Sequence, residues 1–298
     1  MKLLSWHDVG THPAWRSGDV ADLRPAAVHR EGHPRGAVSL PVAAEARPDG
    51  SDLAAVFAAA LPAALLPPRH LPLLLVGDEP GLVAAAVRWL RDRGRGWIDG
   101  AVLQAQDAPA GDWVTGEGDR VLWRPNAFLA AHADLLPGPD AGPAIDFGCG
   151  GGREAVWLAG RGYEVTAVDH LPDALALCER LACGRGVAVR TLCRDLTAAG
   201  AAPAGPWALA LALRFLHRPL LAALPELLAP GGVAVVRTFR FAPDVALLPK
   251  RRYCLEAGEL LEFFPASRFD ILAHVEDRDP DGRPAAGVVA RLRVNRDS

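Results

Sequence analysis

Short apolar runs alternate along the chain with longer segments whose apolar positions recur every three or four residues. That alternation predicts strands and helices in turn. In the first third, 26–30 (AAVHR) and 71–77 (LPLLLVG) read as short buried strands. The segments 51–65 (SDLAAVFAAALPAAL) and 81–94 (GLVAAAVRWLRDRG) read as helices. Ser51 is placed to cap the first helix with Asp52 in its first turn, and Gly94 to end the second. The pattern lapses over 107–120 (DAPAGDWVTGEGDR), where Gly, Asp, Pro and Thr gather without an apolar period, which predicts a linker.

From residue 121 the alternation resumes. Strands are expected at 143–148, 163–169, within 187–196, at 207–215 and at 232–239. Helices are expected at 152–160, 172–182, 218–229 and 256–264, with Pro225 set to kink or split the third. Two last strands, 269–277 and 285–294, are joined through DPDG, a good hairpin turn. The expected fold class is therefore α/β with two domains, 1–106 and 121–298, around a linker at 107–120. The second is a mostly parallel, Rossmann-like, seven-stranded sheet ending in an antiparallel hairpin.

Length and composition change this picture little. A chain of 298 residues, half of them hydrophobic, suffices for two ordinary domains. A net charge of −3 disfavours a nucleic-acid coat or a membrane-surface protein. No apolar run reaches the roughly 18 residues of a membrane span, and MKLLSWHDVG has no signal-peptide core. Five cysteines (Cys149, Cys178, Cys183, Cys193, Cys254) without zinc spacing point to reduced thiols, a cytoplasmic setting and no metal.

The chemistry centres on AIDFGCGGGREA (144–155). Glycines between a strand and a helix let a ligand approach the backbone. The dinucleotide pattern G-x-G-x-x-G fails, because Arg153 stands at its third glycine. The phosphate loop G-x-x-x-x-G-K-[ST] fails for want of a Lys. Asp146, two residues before Gly148, is a poor neighbour for pyrophosphate and suits a ligand carrying an ammonium group. The next strand ends in Asp169, placed to accept ribose hydroxyls, and the third is followed by Asp195-Leu196, placed at an adenine amine. Three acids at three successive strand ends suit a cationic adenosine compound.

This arrangement resembles the class I methyltransferases that use S-adenosylmethionine (SAM), whose first motif is D/E-x-G-x-G-x-G with an acid ending the second strand. The resemblance covers about 140–240. It implies SAM as cofactor, with the backbone of Gly148, Cys149, Gly150 and Gly152 beside its methionine part and Asp146 and Phe147 leading into that loop. It further implies Asp169 on the ribose, His170 and Leu171 flanking the adenine, and Asp195 and Leu196 at the adenine edge. Arg153, at the start of the helix after the loop, is a candidate partner of the methionine carboxylate, with a plain surface position as the alternative. Beyond the fourth strand, FLHRPLL stands where amino-methylating enzymes carry a D/N-P-P-Y/F type motif, which counts against DNA or glutamine amino groups. FLHRPLL, LEAGELLEFF (255–264) and VLWRPNAFL (121–129) resemble a tellurite-resistance and thiopurine-type small-molecule subgroup. The implied acceptor is a small molecule, with soft sulfur, selenium or tellurium nucleophiles in view. His217 is the candidate base, against a role at the helix entrance. Arg214 and Arg237 are candidates to attract an anion, Arg214 from the cofactor side and Arg237 from the substrate side. Trp123 is a candidate lid over the substrate, and Phe128 reads as core.

The first domain carries EGHPRGAVSLP (31–41), Asp22-Leu-Arg24 and LPLLLVGDEPGLVAAAVRWLRDRG (71–94), which together resemble rhodanese-like domains. The resemblance implies sulfur transfer through a cysteine thiolate, and here the chain departs from it: Gly77 or Asp78 stands at that place, and no cysteine precedes Cys149. Sulfur transfer is therefore not expected. His33 is expected to serve a turn. The remaining roles for this domain are packing on the second, pairing with another copy of the chain, or binding a partner. A SAM-binding regulator without turnover, and a protein or RNA methyltransferase using the first domain for recognition, stand as alternatives. The low charge and the lack of a basic, aromatic-interleaved stretch weigh against RNA.

Overall fold

The structure, a computed structural model, describes residues 3–42, 53–118, 120–245 and 249–294. The expected caps Ser51 and Asp52 lie outside the described residues. The chain divides into two compact units, Met1–Arg124 and Pro125–Ser298.

The first unit runs α1 (Trp6–Val9), α2 (Pro13–Ser17), β1 (Val20–Asp22), α3 (Ala26–Glu31), β2 (His33–Pro34), β3 (Val38–Ser39), α4 (Leu53–Ala60), β4 (Leu73–Gly77), α5 (Pro80–Asp92), β5 (Ile98–Val102) and β6 (Trp113–Val114). Four parallel strands form one sheet in the order β3-β1-β4-β5. β4 is buried throughout, which is why its sequence is a continuous aliphatic run and not an alternation.

Two expectations fail in this unit. The segment AAVHR is not a strand but lies in α3, led in by Pro25 at its N-cap. The strand is three residues upstream at Val20–Asp22, too short to show a period. Residues 107–120 do not form a simple linker either. β6 pairs antiparallel with β2, Arg35 takes the Asp112 and Gly111 carbonyls at 2.8 and 2.6 Å, and the unit boundary falls after Arg124. Polar composition marked an irregular segment, but backbone pairing holds it to the sheet's flank.

α3 turns His29 onto Asp22. Asp22 is fully buried, binds Arg24 through both oxygens (2.9 and 2.7 Å) and meets His29 Nδ1 at 2.8 Å. Burial raises the Asp22 carboxyl, but the hydrogen bonds from His29 and Arg24 outweigh it and hold the group below its ordinary value of 3.8. A depressed acid stabilises the fold fully above its unfolded value and loses that contribution as the pH falls through the folded one. Thermal unfolding of the full chain should therefore show a stability loss below pH 3.8 that D22N removes. D22N should also cost about 3 kcal/mol at pH 7 by leaving Arg24 buried without its partner. Parallel acid profiles for the two proteins would refute this.

The second unit runs α6 (Ala127–Ala131), β7 (Ala144–Phe147), α7 (Arg153–Ala159), β8 (Val165–Asp169), α8 (Pro172–Gly184), β9 (Arg190–Cys193), β10 (Trp207–Leu213), α9 (Arg218–Leu227), β11 (Leu228–Phe239), α10 (Glu259–Glu262), β12 (Phe269–Arg278) and β13 (Pro284–Leu292). Seven strands form one sheet in the order β12-β13-β11-β10-β7-β8-β9. β7 to β11 are mutually parallel, and β13 and β12 add antiparallel at one edge. Pro225 does not split α9 but lies two residues before its end at Leu227, so the backbone bond its missing N–H forgoes is lost only in the last turn. The helix expected at 256–264 shrinks to α10, entered through Gly258 at φ 76°. Among the described residues no helix is long and apolar enough to cross a membrane.

Strand order reverses between β7 and β10. The chain goes from β7 outward to β8 and β9, then returns to β10 on β7's other side. The carboxyl ends of β7 and β10 therefore flank the crevice where a parallel sheet of this kind receives ligands.

Candidate active site at the switch point

β7 delivers Asp146 and then the glycines of 148–152, and each glycine answers a different demand. A side chain on Gly148 would meet Phe215 Cγ at 2.6 Å, so the loops after β7 and β10 pack directly on each other. A side chain on Gly152 (φ 75°) would collide with Cys178, where α7 crosses α8. Gly150 is also left-handed, at φ 52°, but nothing stands within 4 Å of its missing side chain. Gly148 and Gly152 thus serve the protein's own packing. Gly150 leaves a cradle that a Cβ would fill.

The Gly150 N–H donates to Asp169 Oδ2 at 2.9 Å, and the Leu171 N–H to Asp169 Oδ1 at 3.0 Å. The acid ending β8 therefore orients the loop as well as lining it. Asp146 is 2 % exposed; the Ala155 N–H donates to it, and its Oδ2 has no hydrogen-bond partner. Burial first, and then the charges of Glu154 and Asp169, push its carboxyl well above the ordinary range. Glu154 is buried and accepts the Asn126 N–H at 3.0 Å. None of the three acids is paired with an Arg or Lys among the described residues. Asp169 meets His170 Nδ1 at 3.3 Å, whereas Asp146 and Glu154 have no cationic partner among the described residues; buried carboxylates normally hold one.

Glu154 is the member that sequence reading missed. It opens a helix, where an acid is ordinarily read as dipole-favoured surface. The available signal was its place one turn beyond Gly150 in a helix buried on both sides of it.

A second neighbourhood forms at the ends of β8 to β10. His170 and Leu171 are exposed. Asp195 is exposed too; its Oδ1 takes the Thr197 N–H and hydroxyl at 2.9 and 2.7 Å. Those bonds hold its carboxyl below the ordinary value, and the charges of His170 and His217 act in the same direction. His217 is the N-cap residue of α9 by backbone position but makes no capping bond with its side chain. Its Nδ1 is buried without a partner.

Other expected site residues are placed differently. Phe147 and Leu196 are buried in the hydrophobic core of this unit. Cys149 is buried, and burial raises its thiol far above the ordinary value. Arg153 is half-buried with no ion pair among the described residues, free to meet a carboxylate. Arg214, the one described non-glycine residue at positive φ (59°), reaches Asp279 at 3.2 Å while its side chain stays 42 % exposed. Arg237, expected at the substrate, is 4 % exposed and bound by Asp277 and Asp279 at 2.7 and 2.8 Å, with Phe128 under its guanidinium. The hairpin turn folds these acids back onto both arginines, which a linear reading of the chain does not reveal. Trp123 is buried in the first unit.

Residues 144–232 match the family model of a methyltransferase domain. The match begins at the first residue of β7 and takes in the glycine loop, Asp169, Asp195 and His217. No curated protein matches the chain. Among solved structures, TehB of Haemophilus influenzae is 22 % identical over 55 % of this chain, with a TM-score of 0.46. The chain spans 61 % of the length of that protein. A SAM-dependent methyltransferase of Methanosarcina mazei is 17 % identical over 55 % of this chain and 98 % of its own, with a TM-score of 0.45. The 1,6-didemethyltoxoflavin-N1-methyltransferase of Burkholderia thailandensis, solved with S-adenosylhomocysteine, is 22 % identical over 56 % of this chain and 79 % of its own, with a TM-score of 0.42.

Proposed function

We propose that the second unit is a SAM-dependent methyltransferase acting on a small-molecule acceptor. The observation that carries this reading is the open Gly150 cradle with Asp169 bound to its N–H, next to the buried Asp146 and Glu154, neither of which has a cationic partner among the described residues. It suits a ligand bearing both an ammonium group and a sulfonium, and it repels a pyrophosphate. The Gly150 and Gly152 backbone and Arg153 would receive the methionine part, Asp169 the ribose, and His170, Leu171 and Asp195 the adenine. When bound, the sulfonium supplies an activated methyl group for in-line displacement. The protein's contribution is to align the acceptor and keep water out.

His217 is the residue to take an acceptor's proton. Its Nδ1 is buried without a partner at the entrance to α9, and a neutral imidazole serves as a base near pH 7. A soft anionic acceptor, a thiolate, selenide or telluride, needs no base at all. Asp277 and Asp279 offset the charge of Arg237, which keeps one buried nitrogen, Nη1, without a partner. In the first unit Gly77 and Asp78 stand where the rhodanese resemblance implies a cysteine, so no thiolate is supplied there. This supports a non-catalytic role in packing or partner binding for that unit.

Methyl release from SAM should rise with at least one acceptor in a panel of thiols, selenite, tellurite and small aromatics. For an acceptor that must lose a proton, H217A should lower kcat about 10²–10⁴-fold, and for a thiolate it should not. No transfer to any acceptor, with binding intact, would move the assignment to a SAM-binding regulator. Release of thiocyanate from thiosulfate and cyanide should not exceed background.

A further inference from the structure

The first unit contains a cavity of about 210 Å³ between α4 and α5, independent of the crevice in the second unit. It lies at the amino ends of β4 and β5, opposite the loop at Gly77. Leu61 and Leu90 give it an apolar wall, and Arg69, Arg93, Arg95 and Trp89 supply the rest.

The three arginines have no carboxylate partner among the described residues. Arg95 is 4 % exposed and is satisfied only by the carbonyls of Pro67 (2.6 Å) and Pro68 (3.4 Å). Burial, and then the nearby charge of Arg69, bring its guanidinium down to about 10. Arg93 stacks over Trp89 at 4.0 Å, and Phe57 lies 5.9 Å from the indole. The Trp89 Nε1–H is buried with no acceptor.

Arg93 and Arg95 have a structural use, because cations suit the carbonyl end of α5. That use accounts for neither Arg69, which adds repulsion, nor the orphaned indole N–H. Arg69 is accounted for by an anion whose oxygen acceptors meet the guanidinium rim. The apolar wall asks for a hydrocarbon body. The volume is below the roughly 300–1,000 Å³ of a site for a drug-sized ligand, which limits that body to about one ring.

We propose that this cavity binds a small carboxylate carrying a single apolar ring, with Arg69 and Arg93 at the carboxylate. The test is ¹⁹F NMR titration of 4-fluorobenzoate into the full-length chain, with 4-fluorobenzamide as the uncharged control. R69Q/R93Q changes two exposed side chains. The expected result is saturable binding of the benzoate, at least tenfold weaker in R69Q/R93Q, with no saturable response to the benzamide. Three results would each overturn the proposal: no saturation with the benzoate, an equal response to the benzamide, or unchanged affinity in R69Q/R93Q. Displacement of the probe by an equal concentration of inorganic phosphate would overturn it too, since phosphate has no apolar body.

Discussion

Replacing Asp169 by Ala should weaken SAM binding at least a hundredfold, the largest effect of any single change in the second unit. Micromolar binding corresponds to about −8 kcal/mol, and a hundredfold loss removes about 2.7 kcal/mol of it. Two losses combine. On the proposed assignment the ribose loses a charged acceptor, and such hydrogen bonds are roughly twice as strong as neutral ones. The loop also loses its anchor, because Asp169 holds the Gly150 and Leu171 N–H groups at 2.9 and 3.0 Å. Asp169→Asn keeps one carbonyl oxygen and should fall between wild type and Ala. Calorimetry on all three, with near-ultraviolet circular dichroism as a check on folding, measures this. Wild-type affinity in D169A would remove the ribose assignment and with it most of the case for SAM.

Gly152→Ala should instead damage folding. The added Cβ would overlap Cys178 down to its Cα, 3.1 Å away, at a φ of 75° that L residues rarely adopt. The left-handed backbone costs roughly 1–2 kcal/mol and the overpacking roughly 1–3 kcal/mol, so a loss of about 2–5 kcal/mol is expected in denaturant unfolding. Removing the Cys178 side chain (C178G) in the same protein should recover part of the overpacking and none of the backbone cost. Gly150→Ala is the informative contrast. It has open space, so it should cost only the backbone strain, about 1–2 kcal/mol, while obstructing the cofactor cradle. Equal destabilisation by G150A and G152A would contradict the division of labour among these glycines.

The periodicity of the chain carried the architecture of the second unit, because a buried parallel strand has to be an unbroken apolar run and a turn between strand and helix must use residues free to take unusual backbone angles. AIDFG, VTAVD and LALAL stand in β7, β8 and β10, and the acids Asp146, Asp169 and Asp195 stand at or beside the strand ends the pattern assigned. Where an element was three residues long, as in β1, or depended on pairing with a remote segment, as in β2 and β6, local pattern carried no signal.

Function was legible to the same depth. Loop chemistry excluded pyrophosphate and pointed to a cationic adenosine ligand, since charge sign and glycine spacing are local properties. Occupancy of the neighbouring charges is not local. Only tertiary structure showed that Glu154 joins Asp146, and that the hairpin acids Asp277 and Asp279 capture Arg237. It also separated Gly150, which faces open space, from Gly148 and Gly152, which face Phe215 and Cys178. The sequence by itself determined which elements form and which charges stand at their ends. The fold decided which of those charges cancel and which are left for a ligand, because cancellation depends on ångström distances between residues dozens of positions apart.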